Sequence, residues 1–380
     1  MSISTATRRV PLLDLTSVHA PLRDEILGEL MRVIDSQKFI LGEDIRLLER
    51  DIASYCGAAH GIACASGSDA LYLALLAAGV GHGDQVITTP FSFFATAGSI
   101  SRAGATPVFA DIDPVTYNID PARMAEALDG HPRAKAMIPV HLFGGSADMD
   151  PILNLARERG CVVIEDGAQS IGAEYKGRRT QSLGEIGCLS FFPSKNLGCF
   201  GDGGMLTVND ETLAGKLAAL RVHGAHRKYF HEWIGINSRM DTIQAAILRV
   251  KLRHLDSWTA ARQRNAALYR KLLSGVSHIG LPMAAPYQTR HVYNQFVIRS
   301  ARRDALKRYL QENGVGTEIY YPLPLHLQQC FQDLGYREGD FPESEKAAGE
   351  VLALPVYPGL SPDDIEYVAA LLAASLNVLN

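Results

Sequence analysis

Between about Cys56 and Asp166, short apolar runs alternate with segments in which apolar positions recur every three or four residues. The short runs are HGIACA, DQVITT, TPVFADI, KAMIPV and CVVIED, and they are typical of strands in a sheet that is covered on both faces. The intervening segments are SDALYLALLAAGV, FATAGSISRAG, DPARMAEALDG and DMDPILNLARERG, and they have the apolar spacing of helices. This alternation indicates βαβ units, so we predict an α/β fold with a mostly parallel central sheet.

The pattern changes after this region. A strand pair around GGMLTV, the helix ETLAGKLAALRVHG and a polar, histidine-rich connection come next. Two long helices follow, from about Asp241 to Leu255 and from Trp258 to Leu273. The last part contains YNQFVIRS, RRDALKRYLQENG, GTEIYYP and a closing helix SPDDIEYVAALLAASLNVL. We therefore predict a large α/β domain over residues 1–250 and a smaller C-terminal α+β domain over residues 251–380.

The composition excludes several classes of protein. A chain of 380 residues is long enough for two domains, and 47% hydrophobic with 21% charged residues is ordinary for a soluble globular protein. The net charge of -4 argues against electrostatic binding to nucleic acid or to a membrane surface. The six cysteines form no C-x-x-C pair, and the N-terminus lacks the apolar run of a signal peptide. We expect reduced cysteines in the core of a cytoplasmic protein.

One lysine is isolated in the stretch SFFPSKNLGCFGDGG, which runs from Ser190 to Gly204. Lys195 is the only charged residue between Ile186 and Gly201, and several of its neighbours are phenylalanines. Most lysines are solvated surface groups, which is the ordinary interpretation of any single one. A lysine among aromatic and small residues is partly desolvated, which favours the neutral amine and suits it to react with an aldehyde. Lys195 is therefore a candidate nucleophile.

An acidic residue lies at the end of the run CVVIED. In parallel sheets the carboxyl ends of the strands face the ligand crevice, so Asp166 is a candidate site residue. Glu165 precedes it and cannot face the same way, because side chains alternate along a strand. The alternative is that Asp166 only caps the following turn. A carboxylate at this place would keep the ring nitrogen of a pyridine cofactor protonated, which makes the ring an electron sink.

Two strand-to-helix junctions add further candidates. In CASGSDALYLALLAAG, Gly67 lets the backbone approach a ligand, and the free N–H groups of the first helical turn favour a phosphate. Ser68 or Asp69 could instead be an ordinary N-cap. In TTPFSFFATAGS, Phe93 either packs in the core or lies against a flat ring at the strand ends.

Competing motifs are weak or missing. The sequence contains no P-loop pattern, and GCFGDGG does not have the strand and helix flanks of a dinucleotide-binding fingerprint. A histidine cluster is formed by His223, His226 and His231, but Arg227 and Lys228 beside it would repel a cation. We therefore expect no metal site.

Taken together, the ordered motifs resemble the DegT/DnrJ/EryC1/StrS family of sugar aminotransferases, which use pyridoxal 5'-phosphate (PLP). The resemblance covers essentially the whole chain, through FILGEDIRLLE, CASGSDAL, VIEDGAQSIGA, SFFPSKNLGCFGDGG, GINSRMDTIQAAIL and YYPLPLHLQ. It implies the aspartate aminotransferase-like fold, also called fold type I, with PLP as the cofactor.

The resemblance also implies roles for particular residues around the cofactor ring. Lys195 would form the Schiff base with PLP. Asp166 would pair with the ring nitrogen, and Gln169 would reach the ring hydroxyl. Phe93 would stack on the ring, with the neighbouring Phe94 as the alternative.

The cofactor phosphate would be held by residues from two subunits. The resemblance implies that Gly67, Ser68 and Ser190 bind the phosphate from within the chain. Asn237, in GINSRMD, matches an asparagine that the partner subunit supplies in this family. The protein is therefore expected to be a homodimer with shared active sites.

The resemblance implies three residues for the substrates. Arg239 is a candidate for binding the carboxylate of the amino donor. Tyr321 and His326 match the family segment near the sugar site. The alternative for Asn237 and Arg239 is that they only cap the helix that begins near Met240.

The implied activity is transfer of an amino group from L-glutamate to a nucleotide-linked ketosugar. Two stretches, SFFPSKNLGCFGDGG and GINSRMDTIQAAIL, look similar to relatives that aminate C3 of a UDP-linked 2-acetamido hexuluronic acid. One alternative is a PLP-dependent sugar dehydratase, although such relatives typically replace the lysine with histidine. Another is a non-catalytic PLP-binding regulator, although the sequence shows no basic recognition helix.

Overall fold

The computed structural model describes residues 8–375. Its helices are α1 Thr16–His19, α2 Arg23–Ser36, α3 Glu43–Cys56, α4 Gly67–Ala77, α5 Ala95–Arg102, α6 Pro121–Gly130, α7 Met149–Arg159, α8 Glu211–Leu220, α9 Thr242–Leu252, α10 Leu255–Leu273, α11 Arg303–Glu312, α12 Pro342–Glu350 and α13 Pro362–Ala374. Its strands are β1 His60–Cys64, β2 Gln85–Thr88, β3 Thr106–Phe109, β4 Ala134–Met137, β5 Val162–Asp166, β6 Glu174–Tyr175, β7 Arg178–Arg179, β8 Ile186–Ser190, β9 Gly204–Val208, β10 Ala225–Arg227, β11 Phe230–His231, β12 Phe296–Arg299 and β13 Val351–Leu354. Short 3-10 helices cover Ala20–Leu22, Leu142–Gly144, Leu325–Leu327 and Gln329–Leu334.

A seven-stranded sheet forms the centre of the molecule, in the order β1-β9-β8-β5-β4-β2-β3. Its neighbouring strands are parallel except at β9, which is antiparallel to both β1 and β8. The predicted α/β fold with a mostly parallel sheet is confirmed. The prediction of a strand pair around GGMLTV was wrong in one respect, because this segment is a single strand, β9, which lies between β8, the preceding strand, and the distant β1.

Helices cover both faces of the sheet, which explains why its strands are apolar at successive positions. Val86 and Ile87 are neighbours in β2 and belong to different hydrophobic clusters, one on each face. Val163 and Ile164 in β5 divide between the same two clusters. Because side chains alternate along a strand, burial on both faces requires an apolar residue at every position. Within residues 8–375, no helix has both the length and the apolar character to cross a membrane.

A separate hydrophobic cluster is built around the antiparallel pair β12 and β13, with residues of α10, α11 and α13 packed on it. Val10 also belongs to this cluster and forms an isolated parallel bridge with Val315. The start of the described chain therefore packs with the C-terminal part. The predicted boundary near residue 250 lies inside α9 and stays a prediction. The end of the predicted closing helix, residues 376–380, lies outside the described residues.

The strand directions bring the candidate motifs together. Strands β1, β2, β5 and β8 are mutually parallel, so their carboxyl ends lie along one edge of the sheet. The start of α4 follows β1, the aromatic stretch follows β2, Asp166 ends β5, and Ser190 ends β8. The crevice expected at this edge is therefore lined by the predicted motifs.

Candidate active site

Lys195 lies in the turn that follows β8. The backbone N–H of Lys195 donates to the carbonyl of Phe192 at 2.9 Å, and that of Cys199 donates to the carbonyl of Phe191 at 2.8 Å. Burial lowers the pKa of the Lys195 amine to about 8, although the nearby Asp166 carboxylate acts in the opposite direction. Close to neutral pH, this amine can therefore both accept and release a proton.

A second buried amine lies beneath the same turn. The Lys251 side chain, from α9, donates from Nζ to the carbonyl of Gly198 and lies 2.9 Å from His19 Nε2. Burial lowers the pKa of Lys251 to about 8, and burial together with the Lys251 charge lowers the pKa of His19 to about 4. Lys251 therefore ties the turn of Lys195 to α1. Sequence analysis missed it, because the residue falls in an ordinary helical pattern.

Asp166 is buried at the end of β5, and both of its carboxylate oxygens accept hydrogen bonds. Oδ2 accepts from the Thr96 hydroxyl at 2.7 Å, and Oδ1 accepts from the backbone N–H of Ala168 at 3.2 Å. The second contact is the turn cap that was considered as the alternative. The hydrogen bond from Thr96 also fixes the orientation of the carboxylate, and a residue that only caps a turn does not need this second bond.

Glu165, the residue before Asp166, points to the opposite face of β5, as alternation predicts. Its carboxylate accepts from three backbone N–H groups of residues 181–184, each at 2.8 Å, and lies 2.8 Å from His141 Nε2. His141 Nδ1 accepts from the Ala147 N–H, so the ring proton is on Nε2. Burial alone would raise the pKa of Glu165, but the His141 and backbone hydrogen bonds bring it below its usual value. Glu165 therefore anchors the scaffold beneath the site.

Gln169 and Tyr321 are hydrogen-bonded to each other. Gln169 Nε2 donates to the Tyr321 hydroxyl at 3.0 Å, and Gln169 Oε1 accepts from the backbone N–H of Phe143 at 2.7 Å. Burial, reinforced by the charge of Asp166, raises the pKa of Tyr321. The structure thus brings Tyr321 to Asp166 and Gln169, from two separate segments of the chain.

The two candidate stacking residues have different surroundings. Phe94 stacks on Phe331 with a ring-centroid distance of 5.7 Å, and its ring also lies against Gly98. Phe93 is 56% exposed, and its ring centroid is 6.2 Å from that of Tyr321. Phe94 is therefore engaged in packing, whereas Phe93 faces the group around Gln169.

The start of α4 lies directly against the end of β8. A Cβ atom added to Gly67 would be 2.6 Å from Ser190 Cβ, closer than real Cβ atoms approach a neighbour, so the two backbones need a glycine here. Ser66 is the N-cap, because its hydroxyl accepts from the Asp69 N–H at 3.1 Å. The alternative that Ser68 or Asp69 is the cap was therefore wrong. The Ser68 side chain is exposed beside the free N–H groups of the helix start.

Asn237 and Arg239 lie on either side of Ser238, whose hydroxyl accepts from the backbone N–H of Ala65 at 3.1 Å. Asn237 is exposed and bridges Val222 through its backbone, and within residues 8–375 neither side chain hydrogen-bonds to Lys195 or Asp166. Helix α9 begins at Thr242 with Asp241 in the N-cap position, so neither residue is its cap. The buried Nε of Arg239 has no hydrogen-bond partner among the described residues.

His326 is buried in an aromatic cluster near the C-terminal part. It is 1% exposed, its Nε2 lies 3.1 Å from Glu345 Oε1, and its ring centroid is 4.7 Å from that of Phe341. Burial lowers the pKa of His326, although Glu345 acts in the opposite direction. Within residues 8–375, no hydrogen bond joins His326 to Tyr321, which lies in the same motif.

Sequence analysis also missed Thr96. This residue lies in the first turn of α5, directly after the aromatic stretch, and is completely buried. The sequence feature that could have identified Thr96 is a hydroxyl residue in a mostly apolar turn at the end of a strand. Its spacing from Ser92 places two hydroxyls on one side of the turn.

Comparisons with known proteins agree over nearly the full length. A "pleiotropic regulatory protein" of Geobacillus stearothermophilus is 52% identical, over 96% of this chain and 98% of that protein. The UDP-N-acetyl-3-dehydro-alpha-D-glucosamine 3-aminotransferase of Acidithiobacillus ferrooxidans is 44% identical, over 98% of this chain and 100% of that protein. The structure of S. venezuelae DesV in complex with a ketimine intermediate is 41% identical, covers 97% of this chain and 99% of that chain, and has a TM-score of 0.94.

The family comparison covers the same region. The sequence model of the DegT/DnrJ/EryC1/StrS aminotransferase family, whose members use PLP, matches residues 21–373. This match spans the central sheet, the turn of Lys195 and the C-terminal pair of strands. The resemblance first seen in the motifs is confirmed, and the chain belongs to the DegT/DnrJ/EryC1/StrS aminotransferase family.

Proposed function

We propose that this aminotransferase moves an amino group from L-glutamate to C3 of a UDP-linked 2-acetamido-3-ketosugar, with a hexuluronic acid as the preferred form. The observation that carries the proposal is the buried Lys195 amine, with a pKa of about 8, beside the oriented carboxylate of Asp166. The 3-aminotransferase of A. ferrooxidans, which is 44% identical, supports a UDP-linked acetamido sugar and position C3.

The residues at the strand ends fit PLP. The close approach of Gly67 to Ser190 leaves the N–H groups of the α4 start and a serine hydroxyl beside each other, which suits a phosphate. Asp166 offers a negative charge to a ring nitrogen, and the exposed ring of Phe93 offers a flat surface. Ser68 and Gln169 complete the proposed cofactor contacts. When bound, PLP supplies an electron sink for the carbon that gains or loses the amino group.

Lys195 is the proposed acid and base. Its Nζ accepts the proton from the α-carbon of glutamate and, in the second half of the reaction, delivers a proton to the former carbonyl carbon of the sugar. A pKa near the working pH favours both transfers, since the amine can exist in either form. Arg239 would bind a carboxylate of the amino donor. Tyr321 and His326 would contact the sugar substrate.

Exposed apolar surface supports the proposed homodimer. Leu27, Met31 and Ile34 form one exposed stripe along α2, and residues 39–41 directly after the helix are also exposed and apolar. Monomeric proteins rarely expose a continuous apolar patch of this kind. In the dimer, Asn237 would reach the phosphate site of the partner subunit. We also infer a cytoplasmic location, because all six cysteines are free thiols.

The name of the Geobacillus relative raises a second candidate, a PLP-binding regulator without turnover. Such a protein would need to bind PLP but not to shuttle protons. Lys195, with its lowered pKa, is the feature that favours the enzyme over this candidate. A sugar dehydratase is disfavoured for the same reason, since the lysine is retained.

The proposal is tested by mixing the PLP-loaded protein with L-glutamate and a panel of nucleotide ketosugars. The panel contains UDP-linked 3-keto sugars with and without the carboxylate at C6, and dTDP-linked 3-keto and 4-keto sugars. We expect an aminosugar product, and release of 2-oxoglutarate beyond the single equivalent of the first half-reaction, only with the UDP-linked 3-keto members, fastest with the uronic acid. Loss of the visible cofactor band on adding glutamate alone would show the first half-reaction. A protein that holds PLP but releases no 2-oxoglutarate with any sugar would favour the regulator.

A further inference from the structure

A chain of buried hydroxyls leads to Asp166. Ser92 Oγ lies 2.9 Å from Thr96 Oγ1, and Thr96 Oγ1 lies 2.7 Å from Asp166 Oδ2. The exposed fractions of the three residues are 3% for Ser92, 0% for Thr96 and 5% for Asp166. Water therefore has little access to this chain.

The direction of the hydrogen bonds follows from the donors available. A carboxylate only accepts, so the Thr96 hydroxyl donates its single hydrogen to Asp166. Thr96 can then only accept from Ser92, and the Ser92 hydroxyl donates. A donor that is itself hydrogen-bonded in this way is polarised and binds a charged acceptor more strongly.

The turn that follows β2 carries Phe93 as well as the two hydroxyls of Ser92 and Thr96. Phe93 lies between Ser92 and Thr96 in the sequence, and its ring is near Tyr321, whereas the Thr96 hydroxyl donates to Asp166 and the Ser92 hydroxyl to Thr96. The turn therefore fixes an exposed aromatic ring and the orientation of a buried carboxylate together.

We propose that Thr96 is a positioning residue for Asp166 and that Ser92 supports it. The Thr96 hydroxyl holds the carboxylate in one orientation and compensates for the burial of its charge, so that Asp166 can face the ring nitrogen of PLP. This inference rests on the proposed function, in which Asp166 is the partner of that nitrogen.

The test compares three single variants by the affinity of the apo protein for PLP and by the pH titration of the visible band after loading. Thr96→Val removes the donor with little change of shape, and we expect PLP to bind about 10- to 100-fold more weakly, with a shifted titration of the band. Thr96→Ser keeps the donor and should stay within about 3-fold of the wild type.

Thr88→Val is the matched control. Thr88 is also completely buried, but its hydroxyl donates to the carbonyl of Ile138 at 2.9 Å rather than to a carboxylate. We expect Thr88→Val to lower stability without moving the titration of the visible band. A band shift of equal size in this control would overturn the proposal. If Thr96→Val does not fold, Ser92→Ala serves instead, with an expected loss of about 2- to 5-fold in PLP affinity.

A double-variant cycle with Asp166→Asn separates the possible failures. If Thr96 acts through Asp166, adding Thr96→Val to Asp166→Asn should weaken PLP binding by no more than about 2-fold. If Thr96→Val weakens PLP binding as much in the Asp166→Asn protein as in the wild type, Thr96 has a structural role and the inference is overturned. If Asp166→Asn weakens PLP binding but Thr96→Val alone does not, the inference fails and the proposed function stands. If Asp166→Asn has no effect on PLP affinity, the titration of the band or activity, the assignment of Asp166 fails as well.

Discussion

At the scale of single residues, Asp166 is buried and Lys195 is half-buried, and their surroundings differ. Asp166 is satisfied by two donors, Thr96 and the backbone of Ala168. The Lys195 amine has a lowered pKa because burial penalises its charge more than Asp166 favours it. A lysine in this state is a nucleophile and a proton carrier, whereas an exposed lysine would be almost entirely protonated at neutral pH.

The replacement of Lys195 by alanine tests this residue directly. We expect Lys195→Ala to lower turnover by at least about 1,000-fold, because the variant lacks the amine that carries the proton. The protein should fold and still bind PLP without a covalent bond. Turnover and the visible spectrum are the measurements, with Lys271→Ala, an exposed lysine on α10, as the control. Wild-type transamination rates in Lys195→Ala would show that the assignment is wrong.

The candidate residues could be predicted where a single position in a motif carries the chemistry. Lys195 is isolated among apolar residues and Asp166 ends a strand, so both were visible in the sequence. Thr96 was not, because its partner is 70 residues away and only the folded sheet brings them together. The cap Ser66 was missed for a different reason, since several polar residues in a row leave the first residue of the helix undetermined.

At the scale of elements, most strands of the sheet were predictable because burial on both faces leaves an apolar run. The insertion of β9 between β1 and β8 was not predictable, since an apolar run does not encode the direction or the neighbours of a strand. The limits of the two long helices differ from the predicted limits by a few residues. The second long helix begins at Leu255 rather than Trp258, and the first ends at Leu252 rather than Leu255.

The junction between β1 and α4 gives a prediction about packing. Gly67→Ala should destabilise the protein by about 1–3 kcal/mol and weaken PLP binding, because its new Cβ would force α4 away from Ser190. Gly349→Ala is the control, since Gly349 lies inside α12 with nothing within 4 Å of an added Cβ. Urea unfolding and PLP titration are the measurements. Equal effects of the two substitutions would contradict the close approach at Gly67.

The contact between α9 and the turn of Lys195 gives a prediction about pH. The pKa of Lys251 is about 8 in the folded protein and about 10.4 in the unfolded chain, so the unfolded chain binds more protons between these values. The free energy of unfolding of the wild type should therefore rise with pH across this window, relative to Lys251→Met, by up to about 3 kcal/mol. Urea unfolding of both proteins from pH 7.5 to 10.5 measures it. A difference that does not change with pH would argue against a buried, titrating Lys251.

At the scale of the whole molecule, the proposed site depends on the GINSRMD segment, whose Asn237 we propose to act in the partner subunit. Asn237 and Arg239 make no hydrogen bond to Lys195 or Asp166 within residues 8–375, although all four lie in the family motifs. The apolar stripe along α2 offers a surface that a second copy of the chain could cover. A two-fold dimer would exchange the GINSRMD segment in both directions.

Subunit mixing tests the exchange. We expect Lys195→Ala chains and chains carrying Asn237→Asp and Arg239→Ala to be inactive alone, and heterodimers of the two to recover up to about half of the wild-type activity. In such a heterodimer one site carries both lesions and the other carries none. The two chains are given different affinity tags, and only doubly purified heterodimers are assayed. Verified heterodimers that remain inactive would count against shared sites.

The bridge between Val10 and Val315 affects the order in which a newly made chain can fold. Val10 precedes the first helix, whereas its partner follows α11, so synthesis of the whole central sheet separates the two. A nascent chain leaves the ribosome with its N-terminus first, and the sheet from β1 to β9 can pair before β12 and β13 exist. A ribosome stalled after β9 should therefore carry a protease-resistant sheet whose N-terminal segment is still open to cleavage.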